Sequence, residues 1–127
     1  MKKQINSNDA PAPIGPYSQA IQTGGIMFIS GQIPMNALTN EIITEDIELA
    51  THLVMENIRA ILAEADMNFG NIVKTSIFLK DMNDFATVNE VYGGYFNGKT
   101  PAPARETLQV AKLPKDVQVE ISAIAVK

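Results

Sequence analysis

Apolar residues change period several times along this chain, and each change predicts an element. From about Glu45 to Met67, residues Ile47, Ala50, Val54, Ile58, Ile61 and Ala65 repeat at helical spacing and fall on one stripe at about 100° per residue. Glu48, His52, Glu56 and Arg59 occupy the opposite, wet side. Thr44 or Asp46 is placed to cap the start, and Asn68-Phe69-Gly70 to end it. A second helix, Asp84 to Phe96, carries Phe85, Val88, Tyr92 and Phe96 on one face.

Between them, Ile72 to Leu79 is rich in β-branched and aromatic residues and predicts a central strand. Two short strands, Tyr17 to Gln22 and Ile26 to Ile29, flank the Gly24-Gly25 turn as a hairpin. At the other end, strands from Arg105 and from Val117 are joined by Ala111 to Asp116, and pairing Val110 with Val117 makes them a second hairpin. The order β-β-α-β-α-β-β predicts an α+β, two-layer domain spanning residues 1 to 127, a mixed sheet covered on one face by two helices. Its other face, to which Ala123 to Val126 also contribute, is left for solvent or another subunit.

The expected C-terminal hairpin is where the candidate chemistry lies. Its register sets Thr107 opposite Glu120, Arg105 opposite Ser122 and Gln109 opposite Gln118 on one polar face, while Glu106, Leu108 and Val110 turn the other way. Thr100-Pro101-Ala102-Pro103-Ala104 restricts the backbone leading into Arg105, whose planar guanidinium suits a small carboxylate. Glu120, between Val119 and Ile121, has the surroundings of a general acid or base. An Arg105–Glu120 cross-strand ion pair is the structural alternative. Thr107 can orient a carboxylate or water, or serve as an ordinary strand residue. Tyr17, Ser30-Gly31 and Asn89 likewise fit either a pocket or plain core, turn and helix-edge roles.

Composition narrows the classes. The 127 residues carry a formal charge of −4, with ten basic residues scattered along the chain, so a phosphate backbone finds no stripe to follow. With no cysteine and one histidine, disulfides, thiolate chemistry and an ordinary zinc site are excluded, and His52, on the wet side of its helix, reads as a surface residue, which leaves no histidine for a Ser-His nucleophile. Phosphate and dinucleotide loops are missing, so no nucleotide cofactor is indicated. Polar Gln4 to Asp9 replaces the apolar middle of a signal peptide, and no segment has transmembrane length, which makes the cytoplasm the expected location.

Five fragments occur together in order: Ala12-Pro13-Ile14-Gly15-Pro16-Tyr17-Ser18-Gln19-Ala20, Ile29-Ser30-Gly31-Gln32, Pro103-Ala104-Arg105, Leu113-Pro114 and Val119-Glu120-Ile121. On these, the chain resembles the Rid (reactive intermediate deaminase, or YjgF) family over nearly its whole length. The resemblance implies a chorismate-mutase-like homotrimer with one site in each intersubunit cleft. It also implies cofactor-free and metal-free hydrolysis of 2-enamine and 2-imine acids, such as 2-aminoacrylate and 2-iminobutanoate, to 2-keto acids and ammonia. Arg105 would bind the carboxylate and Glu120 would activate water. Tyr17, Ser30 and Gly31 look like pocket residues, and Asn89 like a contribution from the neighbouring subunit. Glu106, Thr107 and Ser122 depart from the commonest pattern, where Ser, Cys and an acid are frequent. A 2-keto acid sensor, or an RNA-cleaving or translation-inhibiting protein, are the alternative readings.

Overall fold

A computed structural model describes residues 1 to 127. Its strands are β1 (Lys3–Ile5), β2 (Ala20–Thr23), β3 (Ile26–Gln32), β4 (Ile72–Leu79), β5 (Ala104–Gln109) and β6 (Val119–Val126), with helices α1 (Ile47–Glu64) and α2 (Phe85–Gly93). The strands form one mixed sheet in the order β1-β2-β3-β6-β4-β5, and both helices pack on the same side of it. The α+β architecture with two helices follows the sequence pattern, and no helix is long and apolar enough to cross a membrane.

α1 begins where Asp46 accepts a hydrogen bond from Leu49 N at 3.1 Å. It stops earlier than Asn68, because Asp66 adopts φ 54° and the Asp66 and Met67 amides bond back to Ala63 O and Leu62 O at 3.0 Å each. Such a two-bond close satisfies carbonyls that would otherwise be stranded at the helix end. Ala50, Val54, Met55, Ile58, Ile61 and Leu62 are buried against Met27, Ile29, Ile77, Leu79, Ile121 and Ala125 of the sheet. Fully burying each large aliphatic side chain stabilises by about 1.5 to 3 kcal/mol, so this seam dominates the fold.

β1 has no apolar alternation to announce it, since Lys3 and Gln4 are exposed on a sheet edge. A buried amide holds the stretch that follows it. Gln19 accepts from Ser7 N at 2.7 Å and donates to Ser7 O at 3.0 Å, Pro11 O at 2.9 Å and Ala10 O at 3.2 Å. These bonds fasten the proline-rich stretch beside β2 and so shape the ground below Tyr17.

The expected C-terminal hairpin does not form. β5 pairs in parallel with β4 through Thr75↔Arg105 and Ile77↔Thr107, while β6 runs antiparallel to β4 on its other edge and to β3. Val110 N donates to Leu79 O at 3.0 Å and Lys80 N to Gln118 O at 2.9 Å, so the end of β4 lies between the segments expected to face each other. β4 lies between β6 and β5, so both of its edges are paired, and α2 supplies the crossover that a parallel β4–β5 pair requires.

Insertion of β4 also changes the faces. Arg105 and Thr107 share rows with Thr75 and Ile77 on the helix side, whereas Glu120 and Ser122 share rows with Phe78 and Ser76 on the open side. Arg105 and Glu120 therefore point to opposite faces, and Ser122 is not beside Arg105. Glu106 does turn away from Arg105, as expected, and sits in the row of Ser76 and Ser122. The open side exposes large apolar groups, including Phe28 at 47% and Leu108 at 50%.

Candidate active site

On the helix side, β5 carries Arg105 past α2. Its Nη1 donates to Asn89 Oδ1 at 2.7 Å, and the guanidinium lies 5.3 Å from the Tyr92 ring centroid and 5.6 Å from that of Phe85. Tyr92 is fixed in turn, its hydroxyl 2.8 Å from Thr75 Oγ1. Burial raises its phenol pKa, with the Thr75 hydrogen bond and Arg105 acting the other way, so it stays a neutral shelf under the cation. Two residues along the same strand face, Thr107 Oγ1 is buried without a hydrogen-bond partner. An unmade bond of that kind is costly and suits a hydroxyl waiting for a ligand or water.

The Glu120 region, on the other side of the sheet, is built differently. The β3–β6 ladder shifts register between Ile29 and Gln32, bringing Ser30-Gly31 past Ser122 as an irregularity. A Cβ on Gly31 would stand 2.3 Å from Glu120 Oε2, so only glycine admits the carboxylate in this position. Desolvation by burial raises the Glu120 pKa above its ordinary value. Ile14, Tyr17, Gly31, Ile33, Pro114 and Lys115 surround it in a cavity of about 250 Å³. Tyr17 turns its hydroxyl onto the backbone, accepting from Ile14 N at 3.3 Å.

Ser30 has a different place from the one expected. Its hydroxyl donates to Ser18 O at 2.6 Å and its amide to Gln19 O at 2.9 Å, so it braces the Tyr17 segment against β3. Asn89 is on the Arg105 side of the sheet, its amide oxygen accepting from the guanidinium of the same chain. Glu106, outside both clusters, accepts from Ser76 and pairs with Lys74 at 3.0 Å, and those contacts hold its carboxyl below the ordinary range. His52 is bonded to Tyr95 through Nδ1 at 2.7 Å on the outer side of the helices.

Sequence reasoning missed the Phe85 shelf, Ile33, and Lys115. Phe85 was visible only as an apolar helix position, and helical spacing cannot tell a core ring from one under a cation. Pro114 marked a turn, but nothing in residue type showed that Lys115 enters left-handed backbone at φ 58°.

A family model described as endoribonuclease L-PSP matches residues 7–127. The chain belongs to this family, the Rid or YjgF family. A RutC family protein of Pyrococcus horikoshii is 51% identical over 127 residues, spanning 100% of this chain and 99% of the relative. The 2-iminobutanoate/2-iminopropanoate deaminase of Escherichia coli is 45% identical over 128 residues, again spanning 100% of this chain and 99% of that protein. Among solved structures, Escherichia coli TdcF with bound serine superposes with a TM-score of 0.94 at 45% identity, over 98% of both chains.

Proposed function

We propose that this Rid-family chain is a cofactor-independent deaminase that hydrolyses 2-imine and 2-enamine acids to 2-keto acids and ammonia, at sites shared between copies of a chorismate-mutase-like homotrimer. One observation carries the reading. Arg105 with Asn89 and Thr107, and Glu120 with Gly31 and Tyr17, lie on opposite sides of the same sheet. Within one copy they cannot close on a small molecule; between two copies they can, and the exposed apolar open side offers a surface for that assembly. In this arrangement Arg105 and Asn89 enter together from one copy, and the Glu120 cavity comes from the other. The deaminase name of the Escherichia coli relative and the amino acid bound by TdcF support the substrate class.

The chemistry needs two charges. Arg105 takes the substrate carboxylate, which fixes C2 over the Glu120 cavity. Glu120 accepts a proton from water as the water oxygen attacks C2 of the imine, and the C=N electrons move to nitrogen, which takes up a proton. Protonated Glu120 then gives its proton to the amine nitrogen of the tetrahedral intermediate, and the C–N bond breaks to release ammonia as the hydroxyl loses its proton to solvent and becomes the carbonyl of the 2-keto acid. An enamine enters the same sequence once its carbon is protonated to the imine. Desolvation makes Glu120 a stronger base than an exposed carboxylate, and the chain's role is to orient an already reactive compound.

The family model's description favours an RNA-cleaving alternative. The chain's −4 charge and its single histidine, held by Tyr95, weigh against a phosphate-tracking ribonuclease. The deciding experiment couples a pyridoxal-phosphate-dependent threonine dehydratase to this protein and follows keto-acid formation. Wild-type protein should accelerate that step, and Arg105→Ala should lose about ten- to a hundredfold, the worth of hydrogen bonds to a charged group. No acceleration by wild type would leave a carboxylate-binding sensor as the reading. A sedimentation mass of one 13.8 kDa chain would contradict the shared site.

A further inference from the structure

The cavity over Glu120 contains a second charge that imine hydrolysis does not use. Lys115 lines it beside Glu120, Tyr17 and Gly31, and is its only cation. Its backbone is unusual, since Lys115 and Asp116 both adopt φ 58°, a left-handed conformation that residues with a Cβ avoid. Two consecutive residues in that state persist only where surrounding contacts impose it. Here Asp116 N donates to Leu113 O at 3.1 Å, Val117 N donates to Pro114 O at 3.3 Å, and the Asp116 carboxylate lies 3.2 Å from Lys80 Nζ.

The Lys80 contact has a further consequence. Asp116, the carboxylate next to Lys115 in sequence, is engaged with Lys80, and Lys115 takes part in none of the chain's ion pairs. A strained turn thus brings an uncommitted lysine to a small cavity whose apolar lining is Ile14, Ile33 and Pro114. With the α-carboxylate on Arg105 and C2 beside Glu120, that lining is left for the substrate side chain, and Lys115 for its far end. A chain of net charge −4 has no general attraction for a doubly charged anion, so selectivity for one needs a local cation.

We infer that Lys115 is a specificity residue for a second carboxylate, and that the substrate class of this site includes dicarboxylic 2-imino acids. The inference rests on the deaminase reading for the placement of the α-carboxylate, but its test does not depend on turnover. The assembled protein is titrated calorimetrically with 2-oxobutanoate and with 2-oxoglutarate, stable keto acids carrying one and two carboxylates. Lys115→Met should shift the ratio of the two dissociation constants about three- to fivefold against the dicarboxylate, the range of an exposed ion pair. Lys115→Arg, which keeps the charge and the same backbone demand, should hold the wild-type ratio. An unaltered ratio in Lys115→Met overturns the inference, and so does an equal loss for both ligands, which would make Lys115 a general attractor of anions. Failure of wild type to bind 2-oxoglutarate overturns it as well. Binding of both ligands with the expected shift, but no deamination in the coupled assay, would sink the deaminase reading and leave Lys115 as a carboxylate selector.

Discussion

Arg105 and Glu120 are both charged strand residues, yet the fold holds them by opposite means. The cation is held by contact: a hydrogen bond to Asn89, two aromatic rings, and a Thr75–Tyr92 bond that steadies one of those rings. The anion is held by room, in a gap that exists because residue 31 has no side chain. Several contacts can share the loss of one among them, whereas a gap is either open or filled. The Arg105 cluster should therefore tolerate single changes around it, and the Glu120 cluster should not.

Replacing Glu120 itself should have the largest effect. Glu120→Gln keeps the shape and removes the base, so kcat should fall by about 10²- to 10⁴-fold. In wild type the activity should rise with pH through an apparent value above the ordinary carboxylate range, because burial raises the Glu120 pKa and the ionised form is the base. Stability should run the other way. A carboxyl with a raised folded pKa contributes stability that is fully present below its unfolded value and is lost as pH rises through the folded value. Glu120→Gln lacks that loss, so its melting temperature relative to wild type should climb as pH rises above the ordinary carboxylate value. An inactive variant that also melts progressively lower with rising pH would show Glu120 to be a stabilising anion and not a desolvated base.

A smaller but sharper test is Gly31→Ala. Gly31 is not in left-handed backbone, so alanine meets no conformational penalty there, but its methyl would collide with Glu120 Oε2. The carboxylate must swing aside, and displacement of a reacting group by about 1 Å is worth about 10²-fold in rate. The variant should fold and assemble, with kcat reduced on that scale and the pH dependence altered. Retention of wild-type kcat would mean that Glu120 reaches its working position by another route.

How much of this was legible beforehand depends on which interactions set each feature. β4 and the buried stripe of α1 were readable because their signals are local, repeating every residue or every turn. β1 was not, since three residues with one buried side chain, Ile5, are too few to show a period, and the strand is held by its pairing with β2. The C-terminal pairing failed for a related reason. Two neighbouring strands joined by six residues favour a hairpin, and only the competition for β4's free edges, a property of the whole sheet, reverses that preference. That one error moved Arg105 and Glu120 from one face to two. Side-chain chemistry picks out candidates, and strand order decides which of them can meet within one copy.

The smallest expected effect lies on the Arg105 side and tests the contrast most directly. Asn89→Ala removes one hydrogen bond to the guanidinium but leaves Phe85 and Tyr92 beneath it. A single bond of this kind contributes about 0.5 to 1.5 kcal/mol net, so kcat/KM should fall only about two- to tenfold. Because the amide positions Arg105, the carboxylate-binding group of the proposed mechanism, the loss should fall mainly on KM, with kcat little changed. That split separates positioning from chemistry, since Gly31→Ala acts on the base and should lower kcat instead. If Asn89→Ala matched the loss in Arg105→Ala, the guanidinium would depend on that one bond as Glu120 depends on its gap. The aromatic shelf would then be packing alone, and the two sides of the sheet would hold their charges with equal fragility.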